Sequence, residues 1–206
     1  PEYVEGRTSR VPPVTPRIGL FGGTFDPPHL GHIALAIEAR YQLRLDSVLL
    51  VVANDPWQKS ALRRVTPAAV RLRMAQLAVA AHPGLEVSDV EIRRGGPTYT
   101  VDTVEELGGI GETTLLLGAD AAAGLDTWHR ADDLRARVRI GVADRGVPAP
   151  PAGGLDGGPG APDGWQSVRF EMPNLAISSS DIRARCASGA PIEHLTITAS
   201  GQVNDA

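Results

Sequence analysis

The chain has 206 residues, of which 42% are hydrophobic, 21% charged and only 4% aromatic; that is the balance of an ordinary globular protein whose core is mostly aliphatic. Its formal net charge of −4 argues against a nucleic-acid partner, which calls for a basic surplus or stripe, and no apolar run approaches the ~18 residues of a membrane span. A single cysteine, Cys186, excludes an intramolecular disulfide and a cysteine-rich zinc site, and suits a cytoplasmic protein.

Pro1–Pro16 carries charges and prolines but no apolar run, so it reads as a flexible arm and not as a secretory signal. Residues 17–206 read as one domain. Arg17–Phe21 is a short apolar run halted by Gly22-Gly23, which suits a buried strand entering a loop. From Gly31 to Leu43 the residues Ile33, Leu35, Ala36, Ile37 and Tyr41 recur at mostly helical spacing. Ser47–Ala53 is continuous and β-branched-rich, as in a parallel strand covered on both faces. Pro67–His82 reads as a helix with Pro in its first turn and Thr66 as N-cap. The expected order continues with a strand at Leu85–Ile92, a helix at Thr100–Leu107 and a strand at Thr113–Leu117 ending on Gly118. A helix at Arg130–Arg137 and a strand at Val138–Ala143 follow. Gly146–Gly164 is dense in Gly, Pro and Ala and reads as a long mobile loop. A strand near Val168–Glu171 and a helix at Ser178–Ala187 complete the series, and the tail after Gly189 has weak strand character. Strands alternating with helices predict an α/β fold with a doubly wound parallel sheet.

Two strings carry the chemistry. The first, Gly22-Gly23-Thr24-Phe25-Asp26-Pro27-Pro28-His29-Leu30-Gly31-His32, sits where the first strand hands over to the first helix. Paired glycines allow a bulky anion to approach the backbone, and the helix start adds unpaired N–H groups and a positive dipole end. His29 and His32 stand there three residues apart, able to donate to one phosphate chain. The string is neither a Walker loop nor a Gly-x-Gly-x-x-Gly fingerprint, and as a zinc site it supplies only two ligands. The second string, Ile177-Ser178-Ser179-Ser180-Asp181-Ile182-Arg183, places hydroxyls and a guanidinium at another helix start, a second anion site.

The first string resembles the signature of the nucleotidyltransferase superfamily that works through a His-x-Gly-His pair. In length and detail the chain is most similar to the bacterial nicotinate-nucleotide adenylyltransferases. The second string resembles the element that closes the same family's ATP site. Gly95–Thr103, Gly118-Ala119-Asp120 and Thr127-Trp128-His129-Arg130 match further segments of the nicotinate enzymes, and Pro56-Trp57-Gln58-Lys59 falls on their lysine-bearing loop. The likeness runs from Arg17 to Arg183. The leading arm, the long Gly/Pro-rich loop and the polar tail Pro191–Ala206 depart from it.

The resemblance implies a Rossmann-like fold and adenylyl transfer from ATP to nicotinate mononucleotide, giving deamido-NAD and pyrophosphate in NAD biosynthesis. It implies that His32 donates to the α-phosphate, that His29 assists, and that Lys59 and Arg183 balance phosphate charge. Gly22, Gly23, Thr24 and Phe25 would line the nucleotide together with Gly118, Asp120, Ile177, Ser178 and Ser179. Thr98, Tyr99, Trp128 and Arg130 would frame the mononucleotide. Mg²⁺ would be held mainly by ATP phosphates and water, with no dedicated protein metal site. The same chemistry on nicotinamide mononucleotide or another phosphate acceptor, and a non-catalytic nucleotide-binding module, are the competing readings. Oligomeric state is left open, a homo-oligomer included.

Overall fold

A computed structural model describes residues 15–56, 64–145 and 161–196. The elements are β1 (Arg17–Gly23), α1 (Leu30–Gln42), β2 (Ser47–Val52), α2 (Ala68–Val79), β3 (Leu85–Ser88), α3 (Val90–Arg94), α4 (Thr100–Glu106), β4 (Glu112–Gly118), α5 (Ala119–Ala123), a 3-10 turn at Leu125–Thr127, α6 (Ala131–Arg135), β5 (Arg139–Arg145), β6 (Ser167–Met172) and α7 (Ser179–Ser188). The strands form a six-stranded sheet in the order β3-β2-β1-β4-β5-β6. Every neighbouring pair is parallel. This is the doubly wound, Rossmann-like architecture expected from the alternation of strands and helices.

Successive strand residues point to opposite faces, and the two apolar clusters divide accordingly. Leu50 and Val52 join Phe21, Leu116 and Phe170 on the face covered by α1 and α2, whereas Val51 joins Leu20, Leu115, Leu117, Ile140 and Val142 on the other. In α1 the inward stripe is Ile33, Leu35, Ala36 and Ala39. The two alanines are completely buried, and their small side chains let the helix lie close to the sheet. Ile37 and Tyr41, expected on that stripe, are 40% and 81% exposed. Gln42 ties the end of α1 to β6 through two bonds: its Nε2 donates to the Glu171 carbonyl at 2.8 Å and its Oε1 accepts from the Glu171 N–H at 3.0 Å.

Three local expectations are corrected. The strand expected over Leu85–Ile92 stops at Ser88, whose Oγ accepts from the Val90 N–H at 3.2 Å and so starts the turn into α3. The apolar Val90 and Ile92 therefore belong to a helix. Pro67, not Thr66, caps α2, its carbonyl receiving the N–H groups of Val70 and Arg71. The tail through residue 196 forms turns instead of a strand. It folds back far enough for the Leu195 carbonyl to accept from the Leu30 N–H at 3.2 Å. The N-terminal arm through residue 14, most of the Gly/Pro-rich loop (146–160) and the tail from 197 onward lie outside the described residues.

Leu50 is fully buried at the centre of the sheet. Leu50→Ala is expected to lower unfolding free energy by about 2–5 kcal/mol through lost transfer energy and the cavity left behind. A shift of the urea midpoint at unchanged slope measures it.

Candidate active site

In a parallel sheet the crevice for a ligand opens at the carboxyl ends of the strands where connection direction reverses. Here that point lies between β1 and β4, neighbours in the sheet though separated in sequence. Gly22 and Gly23 end β1 and Gly118 ends β4. A cavity of about 540 Å³ lies above them, lined by Gly22–Asp26, His29, His32, Gly118, Ile177–Ser180 and Arg183 among others. A Cβ on Gly22 or Gly118 would meet nothing within 4 Å, so both glycines keep ligand space clear. Gly23 is glycine for a different reason, since a Cβ there would stand 2.7 Å from the Phe25 ring.

Phe25 takes a left-handed backbone conformation, φ 48°, an uncommon state for a bulky side chain. Its ring is buried and packs edge-on against Phe21, centroids 5.5 Å apart, and against His32 at 5.1 Å. The strained residue thus acts as a wedge that seats His32. His29 is the N-cap residue of α1, and its backbone N–H donates to His32 Nδ1 at 3.1 Å. An Nδ1 that accepts a backbone N–H leaves the proton of the neutral ring on Nε2. His32 therefore lines the cavity as an oriented Nε2–H donor. The His29 ring lies 3.7 Å from it, centroid to centroid.

The start of α7 closes the same cavity from the opposite side. Arg183 Nη1 donates to the Asp26 carbonyl at 2.6 Å and Nη2 donates to Ser180 Oγ at 3.0 Å. Ser179 Oγ donates to the Pro27 carbonyl at 2.9 Å. Ser178 is a true N-cap: its Oγ accepts from the Asp181 N–H at 3.1 Å and donates to Asp181 Oδ2 at 2.7 Å. The sequence suggested that these hydroxyls were free for an anion. Those of Ser178 and Ser179 are instead engaged, one in capping the helix and one in holding the first loop. Ser180, the third serine of that string, also stands in the cavity wall.

The four residues expected at the mononucleotide are not in the wall of this cavity; Trp128 and Arg130 line a separate surface pocket with Asp126 and Arg135. Tyr99 and Trp128 pack on the same apolar cluster, Thr98 Oγ1 is buried, and the Tyr99 ring stacks on His129 with centroids 4.3 Å apart. Arg130 is committed elsewhere. Its guanidinium grips Glu105 with two N–H groups at 3.0 and 2.7 Å and also bonds Asp133 at 2.7 Å, which holds the Glu105 carboxyl below the usual carboxylate range. In the structure described its side chain thus joins α4 to α6 through ion pairs. Asp120 is exposed in the first turn of α5, outside the cavity lining. Lys59 lies outside the described residues.

Among the described residues no three His, Cys, Asp or Glu side chains gather in a way that could hold a metal ion. None of the described helices is long and apolar enough to cross a membrane. The cavity wall mixes apolar side chains (Phe21, Leu35, Met172, Leu175) with the imidazoles of His29 and His32, the Ser178–Ser180 hydroxyls and the Arg183 guanidinium.

A parallel sheet of this order, with a His-x-Gly-His helix start at its crossing point, defines a nucleotidyltransferase. Accordingly, the family model described as cytidylyltransferase-like matches residues 20–185. A relative from Bordetella pertussis, named "Probable nicotinate-nucleotide adenylyltransferase", is 43% identical over 185 residues, covering 87% of this chain and 90% of the relative. A Streptomyces coelicolor relative of the same name is 42% identical over 178 residues, covering 84% and 90%. The fold matches that of the Plasmodium falciparum nicotinic acid mononucleotide adenylyltransferase solved with NaAD, with a TM-score of 0.64 at 18% identity over 86% of this chain and 87% of that one. The chain belongs to the nicotinate-nucleotide adenylyltransferase family, within the cytidylyltransferase-like group.

No motif or spacing points to Glu91, which is buried in α3. Thr103 Oγ1 donates to Glu91 Oε1 at 2.6 Å, and Arg94 Nη2 donates to the same hydroxyl at 3.0 Å. Burial outweighs both and pushes the Glu91 carboxyl above its ordinary value. A carboxyl raised in the folded state binds more protons folded than unfolded, so its contribution is intact below the unfolded value and is lost as pH rises through the folded one. Glu91→Gln keeps an acceptor for Thr103 without the buried charge. It is expected to melt higher than the parent protein at pH 8, with the gap closing as pH falls through the carboxylate range. Thermal melts at both ends of that range measure it.

Proposed function

We propose that this chain transfers the adenylyl group of ATP to the phosphate of nicotinate mononucleotide, forming nicotinate adenine dinucleotide and releasing pyrophosphate. The observation that carries the reading is the His29 N–H···Nδ1 bond to His32, which presents an Nε2–H donor in the cavity between β1 and β4. An acceptor phosphate has a second pKa of about 6 and is mostly dianionic near neutrality. It needs no general base. One of its oxygens attacks the α-phosphorus of ATP, the bond to the bridging oxygen breaks, and that oxygen leaves with the β- and γ-phosphates.

Such a transfer is chiefly positioning and electrostatic stabilisation. His32 donates to the α-phosphate as negative charge grows there, and His29 assists along the phosphate chain. Arg183, with Lys59 from its loop, balances charge on the phosphates. Gly22 and Gly118 leave room for the nucleotide, Thr24 and Phe25 shape its floor, and the Ile177–Ser179 turn closes over it. Tyr99 and Trp128 supply aromatic faces for a pyridine ring. Mg²⁺ would enter on the phosphates of ATP, held by them and by water, and would neutralise part of their charge. In family and site together, nothing favours a module that binds nucleotide without turning it over.

Pyrophosphate release with Mg-ATP and either nicotinate or nicotinamide mononucleotide tests the reading. Release with the acid form is expected; release with the amide alone would move the acceptor, and silence with both would overturn the function. His32→Ala is expected to fold and to lose about 10²–10³ in kcat, the usual loss for one preorganised donor. A kcat close to that of the parent protein would remove His32 from the chemistry.

A further inference from the structure

Arg71, in the second turn of α2, is 1% exposed, as deeply buried as the core leucines. A guanidinium is costly to remove from water unless its donors are met by well-placed acceptors. Among its acceptors are three backbone carbonyls from three separate segments. Nε donates to Thr66 at 2.8 Å, Nη1 to Thr24 at 2.8 Å and Nη2 to Asn54 at 3.0 Å. Packing alone would be served by an aliphatic residue, as Ala75 and Ala78 serve it on the same helix.

The carbonyls it holds lead to the two halves of the site. Thr24 directly precedes Phe25, whose positive-φ backbone and edge-on ring seat His32. Asn54 leads the other way. Its Nδ2 donates to the Gly96 carbonyl at 3.0 Å, and the adjoining Asp55 forms a bridge with Pro97. Gly96 and Pro97 belong to the loop that continues into Thr98 and Tyr99. One planar, five-donor side chain thus spans from the nucleotide loop to the strand end that carries the acceptor loop. A lysine, with a single point-like head, cannot hold three diverging carbonyls in this way.

We propose that Arg71 is a positioning residue that fixes the nucleotide loop and the acceptor loop relative to each other, and so sets the alignment of the two substrates. Assigning the loops to ATP and to the mononucleotide rests on the function proposed above. A residue of this kind acts on the approach of two bound reactants more than on the binding of either one. Its loss should therefore appear in kcat with KM little changed.

The test uses Arg71→Lys, Asn54→Ala and the double variant, each with a thermal melt and with kcat and both KM values from pyrophosphate release. Arg71→Lys is expected to lower kcat by about 10–100-fold while each KM stays within about threefold. Asn54→Ala should lose less, and the double variant no more than Arg71→Lys alone, since both cut one connection. A folded Arg71→Lys with the parent kcat, a loss confined to one KM, or fully additive losses would overturn the proposal. Amide exchange at residues 23–26 and at Gly95, Gly96 and Thr98 reads the coupling without turnover. Both segments should exchange faster together in Arg71→Lys. If Arg71→Lys does not fold, Asn54→Ala decides: faster exchange at Gly95 and Gly96 with a lowered kcat supports the coupling, and no change in either overturns it. A parent protein silent with both mononucleotides would sink the functional reading, yet leave the exchange experiment able to judge Arg71.

Discussion

The site depends on β1 being paired in parallel with β2 on one side and with β4 on the other. Chain connections leave β1 in one direction and reach β4 only after the sheet has grown through β2 and β3. The loops above β1 and β4 therefore diverge and leave a crevice that no side chain has to fill. Gly22 and Gly118 stand at its base, and α1 begins at its wall. The place of the crevice follows from sheet order before any charged side chain is considered.

Within that crevice the first loop is held from two sides by donors to its backbone. Arg183 and Ser179 bond the carbonyls of Asp26 and Pro27, and Arg71 bonds that of Thr24. Backbone carbonyls so engaged cannot rotate freely, which accounts for Phe25 persisting in a left-handed conformation that would otherwise relax. The motif at α7 is thus both cavity wall and brace. Several carboxylates of this acidic chain are committed to ion pairs away from the cavity. Glu105, Asp133 and Asp102 surround Arg130 on the far side of α4. Such exposed pairs contribute modestly one by one, and the two-pronged Arg130–Glu105 contact is the best formed of them.

Much of this was legible in the sequence. Apolar, β-branched runs such as Ser47–Ala53 announced buried parallel strands, and the Gly-Gly and His-x-Gly-His strings fell where a strand meets a helix. The signal faltered where the period was short or the environment decided. Val90 and Ile92 suit a strand as well as a helix, and only the hydrogen bond from the Val90 N–H to Ser88 settles the turn. Ile37 and Tyr41 have helical spacing, yet the buried stripe runs through Ala36 and Ala39, which hydropathy ranks lower. Nor does local pattern show that Arg130 pairs with Glu105, 25 residues away in the chain.

By itself the sequence determined the alternation of strands and helices, the place of both anion-binding strings, and the residue types able to meet a phosphate chain. Those properties are local: periodicity, turn-forming glycines and helix starts are written in neighbouring residues. The tertiary structure alone decided that Arg71 is buried against Thr24, Asn54 and Thr66, and that Ser179 braces Pro27 across the fold. Each of these depends on which carbonyl or N–H stands opposite a side chain. Packing between distant segments sets that partner, and the spacing of residues along the chain does not contain it.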